Sequence, residues 1–552
     1  MRSLYFLPLL LLLNSCGIKK SVEYRPDISG IQALDTSRIK HSSTHFSLGK
    51  NQLIKNKYGV WELYLEGNAL ERGIANGSLS RELIHHQETA FMNKLQSMVP
   101  SEDYRGFLKK MILWFNRKMY LHVPEEYQQE IYAVSKFGLE KYDSFAPAYL
   151  RMLYFHGAHD IGHALQDLML VGCTSFAAWG EKTEDGELLI GRNFDFYAGD
   201  DFNEQKIVAF IKPETGNKFM MYTWGGFIGA VSGMNEKGIS VTINAGKSRI
   251  PLIAKTPISL VAREILQYAS SIDEAIEIAR SREVFVSESI MVGSGDEKKA
   301  VLIEVAPSNF GVYEVNNSNK LICSNHFQSK AYSDDRRNLK TIEESHTKYR
   351  YDRMEQLIAK NDKLNEIEAV EILRNMKGLD DEELGFGNEL AINQLLAHHG
   401  IVFRPKDRKV WVSANPYQMG EFIAYDLNDV FDQFESGILD GSVSNSKNTI
   451  PASKFIETKQ FRDYEAYRKL EFDIKQRLEG EMQIKNLDAA KLVQLNPEFW
   501  EAHFLAGMIY YKNEDYKKAI IQFKQASIKE VTTLKDKELI EKMLRKSYRK
   551  LN

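Results

Sequence analysis

The chain has 552 residues, and its apolar fraction of 43% is high enough to form a large globular core. Its formal net charge of −3 at pH 7 gives no reason to expect a nucleic-acid partner, which would favour a basic face. Only three cysteines occur, Cys16, Cys173 and Cys323, so a disulfide scaffold is excluded. The length predicts about three to four domains.

The first segment is a targeting sequence. "MRSLYFLPLLLLLNSC" carries one early cation, Arg2, and an apolar run over 4–13. This run is too short to cross a bilayer, which takes roughly 20 apolar residues, but it has the proportions of a secretory signal. The ending "LNSC" resembles a bacterial lipoprotein signal. That resemblance implies a signal peptide over 1–15, a lipid anchor on Cys16 and a place in the cell envelope, in the periplasm or at the outer membrane. A plain secretory signal is the alternative.

The next segments change in character along the chain. Residues 16–55 are polar and irregular, which predicts a tether. Residues 56–172 begin with a short strand and continue mainly as helices, because apolar residues recur every three or four positions. From 173 strands dominate, first as a hairpin over 173–196 around the turn "TEDGE".

Further strands are expected within 206–213, 218–226, 238–246, 288–295, 299–307, 310–316 and 319–327, and late strands within 400–416 and 421–431. Helices are expected over 257–281 and 337–375, and "LLAHHG" is interpreted as a helix end. Strands and helices come in blocks rather than as a repeating βα unit. The pattern therefore predicts a layered α+β fold rather than a doubly wound sheet.

The C-terminal segment, 460–552, is predicted to be helical. Within it, 499–526 resembles one tetratricopeptide repeat, with the small and aromatic positions of the motif at Gly507, Tyr510, Ala519, Phe523 and Ala526. A single repeat cannot bury its apolar face alone. It must pack on the catalytic body, on its helical neighbour or on a partner protein. An ordinary helical hairpin is the alternative interpretation.

The stretch "VGCTSFAAWG", 171–180, contains the most informative cysteine. A lone cysteine is more often an inert core residue than a nucleophile. Around it, however, polar residues recur in a definite order. "GRNFDF" supplies Arg192 and Asp195, which the predicted hairpin brings back beside Cys173, and "GMNEKGISVTINAG" ends near Asn244. "ICSNHF" then carries Asn325.

The last member of this series is an arginine in "SHTKYRYDR", where either Arg350 or Arg353 could take the place. In this order the residues resemble the cysteine N-terminal-nucleophile hydrolases, in particular the acyl-CoA:6-aminopenicillanic-acid acyltransferase-like peptidases. The choloylglycine hydrolases, which include bile-salt hydrolases and penicillin V acylases, are relatives of that family. The resemblance covers roughly residues 60 to 430. It implies a four-layer αββα sandwich without a cofactor or metal.

The resemblance also implies self-processing. The precursor would cleave between Gly172 and Cys173, which leaves a light chain with the pro-segment 56–172 and a heavy chain with the catalytic part 173–450. Cys173 would then carry a free α-amine, whose pKa of about 8 suits proton exchange near neutral pH. One residue thereby supplies both nucleophile and base.

The remaining roles are also implied by the resemblance. Asp195 would orient the α-amine or the thiol, and Arg192 would favour the thiolate. Asn244 and Asn325 would form an oxyanion hole. Arg350 completes the set of expected catalytic residues. Cys323 lies two positions before Asn325 and is interpreted as a packing residue, although the spacing would also let it face the site.

The function expected from this series is that of a cell-envelope lipoprotein amidase, anchored in the membrane by the lipid on Cys16. It would act on small N-acyl amides or on peptides through an acyl-enzyme on Cys173. An acyltransferase with the same acyl-enzyme is one alternative. Another is an inactive scaffold that binds a protein partner through the C-terminal helices.

Overall fold

The computed structural model describes residues 17–99, 101–157, 170–247, 253–480, 482 and 485–551, without the side chains of 170 and 171. The predicted signal peptide and Cys16 lie outside the described residues. The helices before the middle of the chain are α1 Ile18–Glu23, α2 Ala69–Leu79, α3 Arg81–Met98, α4 Glu102–Asn116, α5 Glu125–Ser135, α6 Ala148–His156, α7 Ile258–Tyr268 and α8 Ile272–Ser281. The later helices are α9 Arg336–Glu344, α10 Thr347–Lys360, α11 Glu366–Leu373, α12 Leu427–Ser436, α13 Lys459–Glu479, α14 Asn486–Leu495, α15 Trp500–Lys512, α16 Tyr516–Ser527 and α17 Leu534–Leu551.

Twenty strands are described. They are β1 Ile39–Lys40, β2 His45–Leu48, β3 Asn51–Lys55, β4 Trp61–Gly67, β5 Leu170–Val171, β6 Thr174–Ala178, β7 Leu189–Phe194, β8 Phe196–Tyr197, β9 Lys206–Pro213, β10 Phe219–Trp224, β11 Ser232–Asn235, β12 Ile239–Ala245, β13 Glu288–Ser294, β14 Lys299–Ala306, β15 Asn309–Tyr313, β16 Lys320–Cys323, β17 His399–Arg404, β18 Lys409–Ser413, β19 Phe422–Asp426 and β20 Asn445–Ile450. The larger sheet has the order β1-β2-β3-β4-β9-β10-β11-β12-β13-β14-β15, and the smaller has β16-β6-β7-β17-β18-β19-β20.

The two large sheets stack face to face, with helices on both outer faces. Alternate residues of a strand face opposite sides of its sheet. On β9, Ile207 and Ala209 therefore face a core shared with helices α2, α5, α7 and α8, whereas Val208 and Phe210 face the smaller sheet. On the far side, the smaller sheet packs against α10 and α11, for example through Trp411. The predicted α+β class and αββα layering are thus confirmed.

The predicted tether is wrong over 39–55. This segment forms β1, β2 and β3, which extend the larger sheet beside β4. Its strands are short and polar at their ends, so the sequence pattern is weak, but Leu53 and Phe46 are buried against the core. Residues before it also pack on the body, because the rings of Tyr24 and Tyr120 lie 4.2 Å apart. The larger sheet therefore contains four strands that precede Cys173 in the chain.

Replacing Leu53 by alanine tests this assignment. Leu53 is 1% exposed, so its truncation to alanine should lower the free energy of unfolding by about 2–5 kcal/mol. Lys40→Ala, at an exposed position of β1, is the matched control and should change it by less than about 0.5 kcal/mol. Denaturant unfolding of both variants gives the result. Equal, small effects would show that 39–55 is a tether after all.

Most predicted elements between 173 and 431 are confirmed. The hairpin forms from β6 and β7, with Ser175 opposite Arg192, and Gly186 at its turn has a φ of +77°. Two details differ. The segment 421–431 is a strand followed by helix α12, since Asp426 caps that helix. "LLAHHG" is not a helix end, because an irregular loop leads directly into β17 at His399.

The C-terminal helices α13 to α17 pack on each other and on the two-sheet body of the protein. Gly507 of α15 lies so close to α16 that a Cβ atom there would be 2.6 Å from the ring of Phe523. Tyr464 and Phe499 share a buried cluster with Leu395 of the body. These contacts bury part of the apolar surface of the helices, although Phe472, Leu487 and Ile521 remain exposed. The tetratricopeptide assignment itself stays a prediction. No helix within the described residues is both long and apolar enough to span a bilayer.

Candidate active site

Cys173 lies directly before β6, which sits between β16 and β7 in the smaller sheet. Its side chain is completely buried. Burial raises the pKa of the thiol to about 11, against the opposing effect of the nearby Arg192 cation. In the uncleaved chain the thiol is therefore protonated at neutral pH, and it needs a base before it can act as a nucleophile.

Arg192 is the cation next to this thiol. Its Nη2 atom lies 3.8 Å from Sγ of Cys173. Three further hydrogen bonds fix the guanidinium: Nη1 donates to the carbonyl of Val231 (3.0 Å) and to Oγ of Ser232, and Nη2 donates to the carbonyl of Ile243. These acceptors belong to the larger sheet or to the residue before β11. The two sheets together thus hold one positive charge against the sulfur.

Asp195 follows β7 and is completely buried. Neither of its carboxylate oxygens makes a hydrogen bond of ordinary geometry with the described residues. Burial raises the pKa of this carboxyl to about 7, and the cations of Arg350 and Arg192 and the nearby side chain of Gln418 oppose the rise. Its backbone N–H points to the Cys173 thiol, and its backbone carbonyl accepts from the N–H of Gly172 (3.2 Å). A buried, unsatisfied carboxylate beside Cys173 is suited to receive a proton or a new positive charge.

Asn244 bridges the two sheets near the cysteine. Its Oδ1 atom accepts from Oγ of Ser175 (3.0 Å), and its Nδ2 atom donates to the carbonyls of Cys323 (3.3 Å) and Ser324 (3.4 Å). Asn244 is thus within the site, but in the uncleaved chain both hydrogen bonds donated by its side-chain amide go to carbonyls at the end of β16. The predicted oxyanion role of Asn244 stays a prediction.

Arg350 contacts the peptide bond that the sequence predicts to be cleaved. Its Nη1 atom donates to the carbonyl oxygens of Gly172 (2.6 Å) and Cys173 (2.9 Å). Its Nη2 atom donates to Oδ1 of Asn325 (2.6 Å) and to Nδ1 of His346 (3.0 Å). Burial lowers the pKa of Arg350 to about 10, so it remains a cation at neutral pH. Asn325 therefore positions Arg350 in the uncleaved chain, and its predicted oxyanion role stays a prediction.

The structure separates the two arginines that the sequence left in competition. Arg353 is one helical turn further along α10 and bonds instead to Asn375 (3.1 Å) and Asp381 (2.7 Å). Of these two arginines, Arg350 is the one that reaches the Gly172 carbonyl. The structure thus brings together Gly172, Cys173 and all five other expected site residues, Arg192, Asp195, Asn244, Asn325 and Arg350.

One residue at this bond was not foreseen. Gln394 is 1% exposed and donates from Nε2 to the carbonyl oxygen of Gly172 (3.2 Å). It lies in the irregular loop between α11 and β17, and no motif or periodicity in the sequence marks it. A Cβ atom at Gly172 would overlap Nε2 of Gln394, so any larger residue at this position would displace the Gln394 amide from the Gly172 carbonyl.

Cys323 is confirmed as a packing residue. It belongs to the buried cluster between the two sheets and is a free thiol. Its Sγ atom contacts the carbonyl of Ser324 (3.4 Å), and burial raises its pKa well above the ordinary value. It is therefore a poor competitor for the role of nucleophile.

Aromatic side chains connect the site to a narrow apolar cavity. Phe194 lies under the Arg192 guanidinium (4.3 Å from ring centroid to Cζ) and stacks on Phe196 (5.6 Å between centroids). Phe196, Phe202 and Trp224 line a cavity of about 30 Å³, which also borders α3 and α6. The walls are mainly apolar, with Gln87 and Glu88 as their polar members, and are better suited to an apolar group than to an anion.

An αββα sandwich with a buried cysteine directly before an inner strand is the architecture of the N-terminal-nucleophile hydrolases. Residues 181–416 match the family model of acyl-coenzyme A:6-aminopenicillanic acid acyl-transferase, and this part of the chain is similar to that family. Cys173 lies eight residues before the matched segment.

Two curated proteins are similar to this chain. An uncharacterized protein of Archaeoglobus fulgidus is 26% identical over 271 residues, which cover 46% of this chain and 45% of that protein. Protein dcd1B of Dictyostelium discoideum is 25% identical over 266 residues, which cover 46% of this chain and 51% of that protein. The chain thus spans about half the length of the curated relatives that it matches.

Solved structures with some similarity include two hydrolases. The Caenorhabditis elegans ortholog of N-acylethanolamine-hydrolyzing acid amidase is 19% identical, with a TM-score of 0.31, over 42% of this chain and 93% of that one. A mutant of conjugated bile acid hydrolase from Clostridium perfringens is 17% identical, with a TM-score of 0.32, over 51% of this chain and 97% of that one.

Proposed function

We propose that this protein cleaves itself between Gly172 and Cys173 and then hydrolyses linear amides through an acyl-enzyme on Cys173. The observation that carries the proposal is the set of contacts around one peptide bond, between Gly172 and Cys173. Its carbonyl oxygen accepts a hydrogen bond from a buried arginine, and the next residue is a buried thiol beside an unsatisfied carboxylate. This arrangement polarises the carbonyl and supplies both a nucleophile and a base.

The mature enzyme would use the products of that cleavage. The new α-amine of Cys173 would take the thiol proton as the sulfur attacks the amide carbon of a substrate, and would return it to the departing amine. Water would then hydrolyse the thioester. Asp195 would orient the α-ammonium that forms, and Arg192 would stabilise the thiolate.

The mainly apolar lining of the cavity supports an apolar acyl side on the substrate, a small N-acyl amide or a peptide, and the cavity would have to widen beyond its volume of about 30 Å³ to hold a chain of several carbons. The alternative is an acyltransferase, which the name of the matched family favours. Both reactions share the acyl-enzyme and differ only in whether water or an amine accepts the acyl group. We also propose that the protein is held at the cell envelope by a lipid on Cys16.

A panel of N-acyl amides tests this function. With the purified protein, amides of apolar acyl chains should be hydrolysed, whereas amides of short anionic acids should not, because the described residues that line the cavity are mainly apolar and include no cationic side chain to pair with a carboxylate. Mass spectrometry of the products with and without an added amine separates the alternatives. Free acid in both cases shows a hydrolase, and a new amide shows a transferase. The matched control is Cys173→Ala, and turnover by that variant would contradict the mechanism.

A further inference from the structure

The scissile carbonyl has a second buried donor besides Arg350. Gln394 Nε2 lies 3.2 Å from the Gly172 oxygen, and Arg350 Nη1 lies 2.6 Å from it. We propose that Gln394 is a catalytic residue of the self-cleavage, that it forms an oxyanion hole with Arg350, and that the C-terminal helices hold the loop that presents it. This inference rests on the self-cleavage proposed above.

The two donors match the charge that develops in the reaction. Sγ of Cys173 bonds to the carbonyl carbon of Gly172 while its proton passes to the Asp195 carboxylate. The carbonyl π electrons move to oxygen, which becomes an oxyanion between Gln394 and Arg350. As the intermediate collapses, the C–N bond breaks and the nitrogen of Cys173 takes the proton from Asp195. Water hydrolyses the resulting thioester to the Gly172 carboxylate and the free thiol. Gln394 and Arg350 lose no proton in this sequence, and they act only as donors.

The loop that carries Gln394 depends on the C-terminal helices for its shape. Asn496, at the end of α14, bonds to both backbone groups of Phe386: Phe386 N–H donates to Oδ1 (3.1 Å), and Nδ2 donates to the Phe386 carbonyl (2.8 Å). Asn388 in the same loop donates from Nδ2 to the carbonyl of Glu530 (3.0 Å). These contacts join the beginning of the loop to two separate parts of the helical segment.

A further contact acts directly beside Gln394. The hydroxyl of Tyr464, on α13, donates to the carbonyl of Leu395 (3.1 Å). Leu395 has a φ of +52°, a conformation that a leucine adopts only when its surroundings hold it there. The Tyr464 hydrogen bond is one such restraint, on the residue next to Gln394. Tyr464 is therefore a positioning residue, and the C-terminal helices serve the processing site of their own chain.

The test measures the rate of chain separation after cell-free synthesis, by intact mass at a series of pH values. Gln394→Met keeps the length of the side chain but removes its donor, so it should slow cleavage by about 100-fold or more. Because the base is unchanged, the pH midpoint of cleavage should stay where it is in the unaltered protein. Thermal unfolding of the variant checks that it folds. Cleavage at the unaltered rate would overturn the inference, as would a shifted midpoint, which indicates a general disturbance of the site.

Tyr464→Phe removes only the hydroxyl and should slow cleavage by roughly fivefold, the effect of one neutral hydrogen bond. Its matched control is Tyr548→Phe on α17, whose side chain is 39% exposed, and this variant should cleave normally. If Tyr464 acts through Gln394, the double variant Tyr464→Phe/Gln394→Met should be no slower than Gln394→Met alone. Additive effects would overturn the positioning role. An unaltered protein that stays one chain would instead refute the proposed self-cleavage itself.

Discussion

Replacing Cys173 by alanine is expected to leave the purified protein as one uncleaved chain. The unaltered protein should separate into two chains, one ending at Gly172 and one beginning at Cys173. The reason is that alanine has no atom that can attack the Gly172 carbonyl, although Arg350 and Gln394 still polarise it. Intact mass and N-terminal sequencing of the new chain decide the result. Hydrolysis of N-acyl amides should be lost together with the cleavage.

Cys323→Ala is the matched control for this variant. Both cysteines are completely buried in the same sandwich, but Cys323 packs in the cluster between the sheets, with its thiol against the carbonyl of Ser324. The control should cleave normally, with a loss of stability of about 1–2 kcal/mol from the lost packing. Cleavage of the Cys173→Ala variant would contradict the mechanism. A biological role that survives this substitution would favour the alternative of an inactive scaffold.

The sequence predicted the site residues that lie in regular structure. The β6–β7 hairpin could be foreseen from strand alternation and an Asp-Gly turn, and its register places Arg192 opposite Ser175. Asn244 ends a strand that was equally clear. Arg350 and Arg353 could not be separated in this way, because both lie on one helix and only the packing of α10 decides which of them faces Gly172.

The residues that sequence reasoning missed depend on contacts between distant segments. Gln394 lies in a loop without periodicity. It is 222 residues from Gly172 in the sequence, and only the tertiary fold brings the two together. The loop in turn is shaped by Asn496 and Tyr464, which belong to a helical segment that the sequence presented as separate. The mistaken tether has a related cause. Strands β1–β3 are too short to show alternation, and it is pairing with β4 that orders them.

Asp195→Asn is expected to abolish self-cleavage almost as completely as the loss of Cys173. The Cys173 thiol has a pKa of about 11 in the uncleaved chain, so it requires a base at neutral pH. An amide cannot take the proton, and the loss of a positioned base costs about 10² to 10⁴ in rate. Asp201→Asn, at an exposed position six residues further along, should cleave normally. Intact mass over a time course gives both rates, and normal cleavage of Asp195→Asn would refute the role of this carboxylate.

The pH dependence of cleavage follows from the same group. Burial gives the Asp195 carboxyl a pKa of about 7. Only the ionised carboxylate can accept the thiol proton, so the rate should fall as the pH drops below 7, by about tenfold for each pH unit. Once the chain is cleaved, the α-ammonium of Cys173 adds a positive charge that favours the carboxylate. The pKa of Asp195 should then fall, and the mature enzyme should lose this particular dependence.

The Asp195 carboxylate should make the uncleaved chain less stable at neutral pH than the same chain with a neutral side chain at this position. Its pKa is raised in the folded state above the ordinary 3.8, so folding favours the protonated form. Stability should therefore decrease as the pH rises from about 4 to 7, and then stay level. In a Cys173→Ala background, which prevents cleavage, adding Asp195→Asn should raise the free energy of unfolding at pH 8 by up to about 4 kcal/mol. The gain should vanish near pH 4. A gain that does not change with pH would mean that the charge on Asp195 is not its source, because a packing effect of the amide does not titrate.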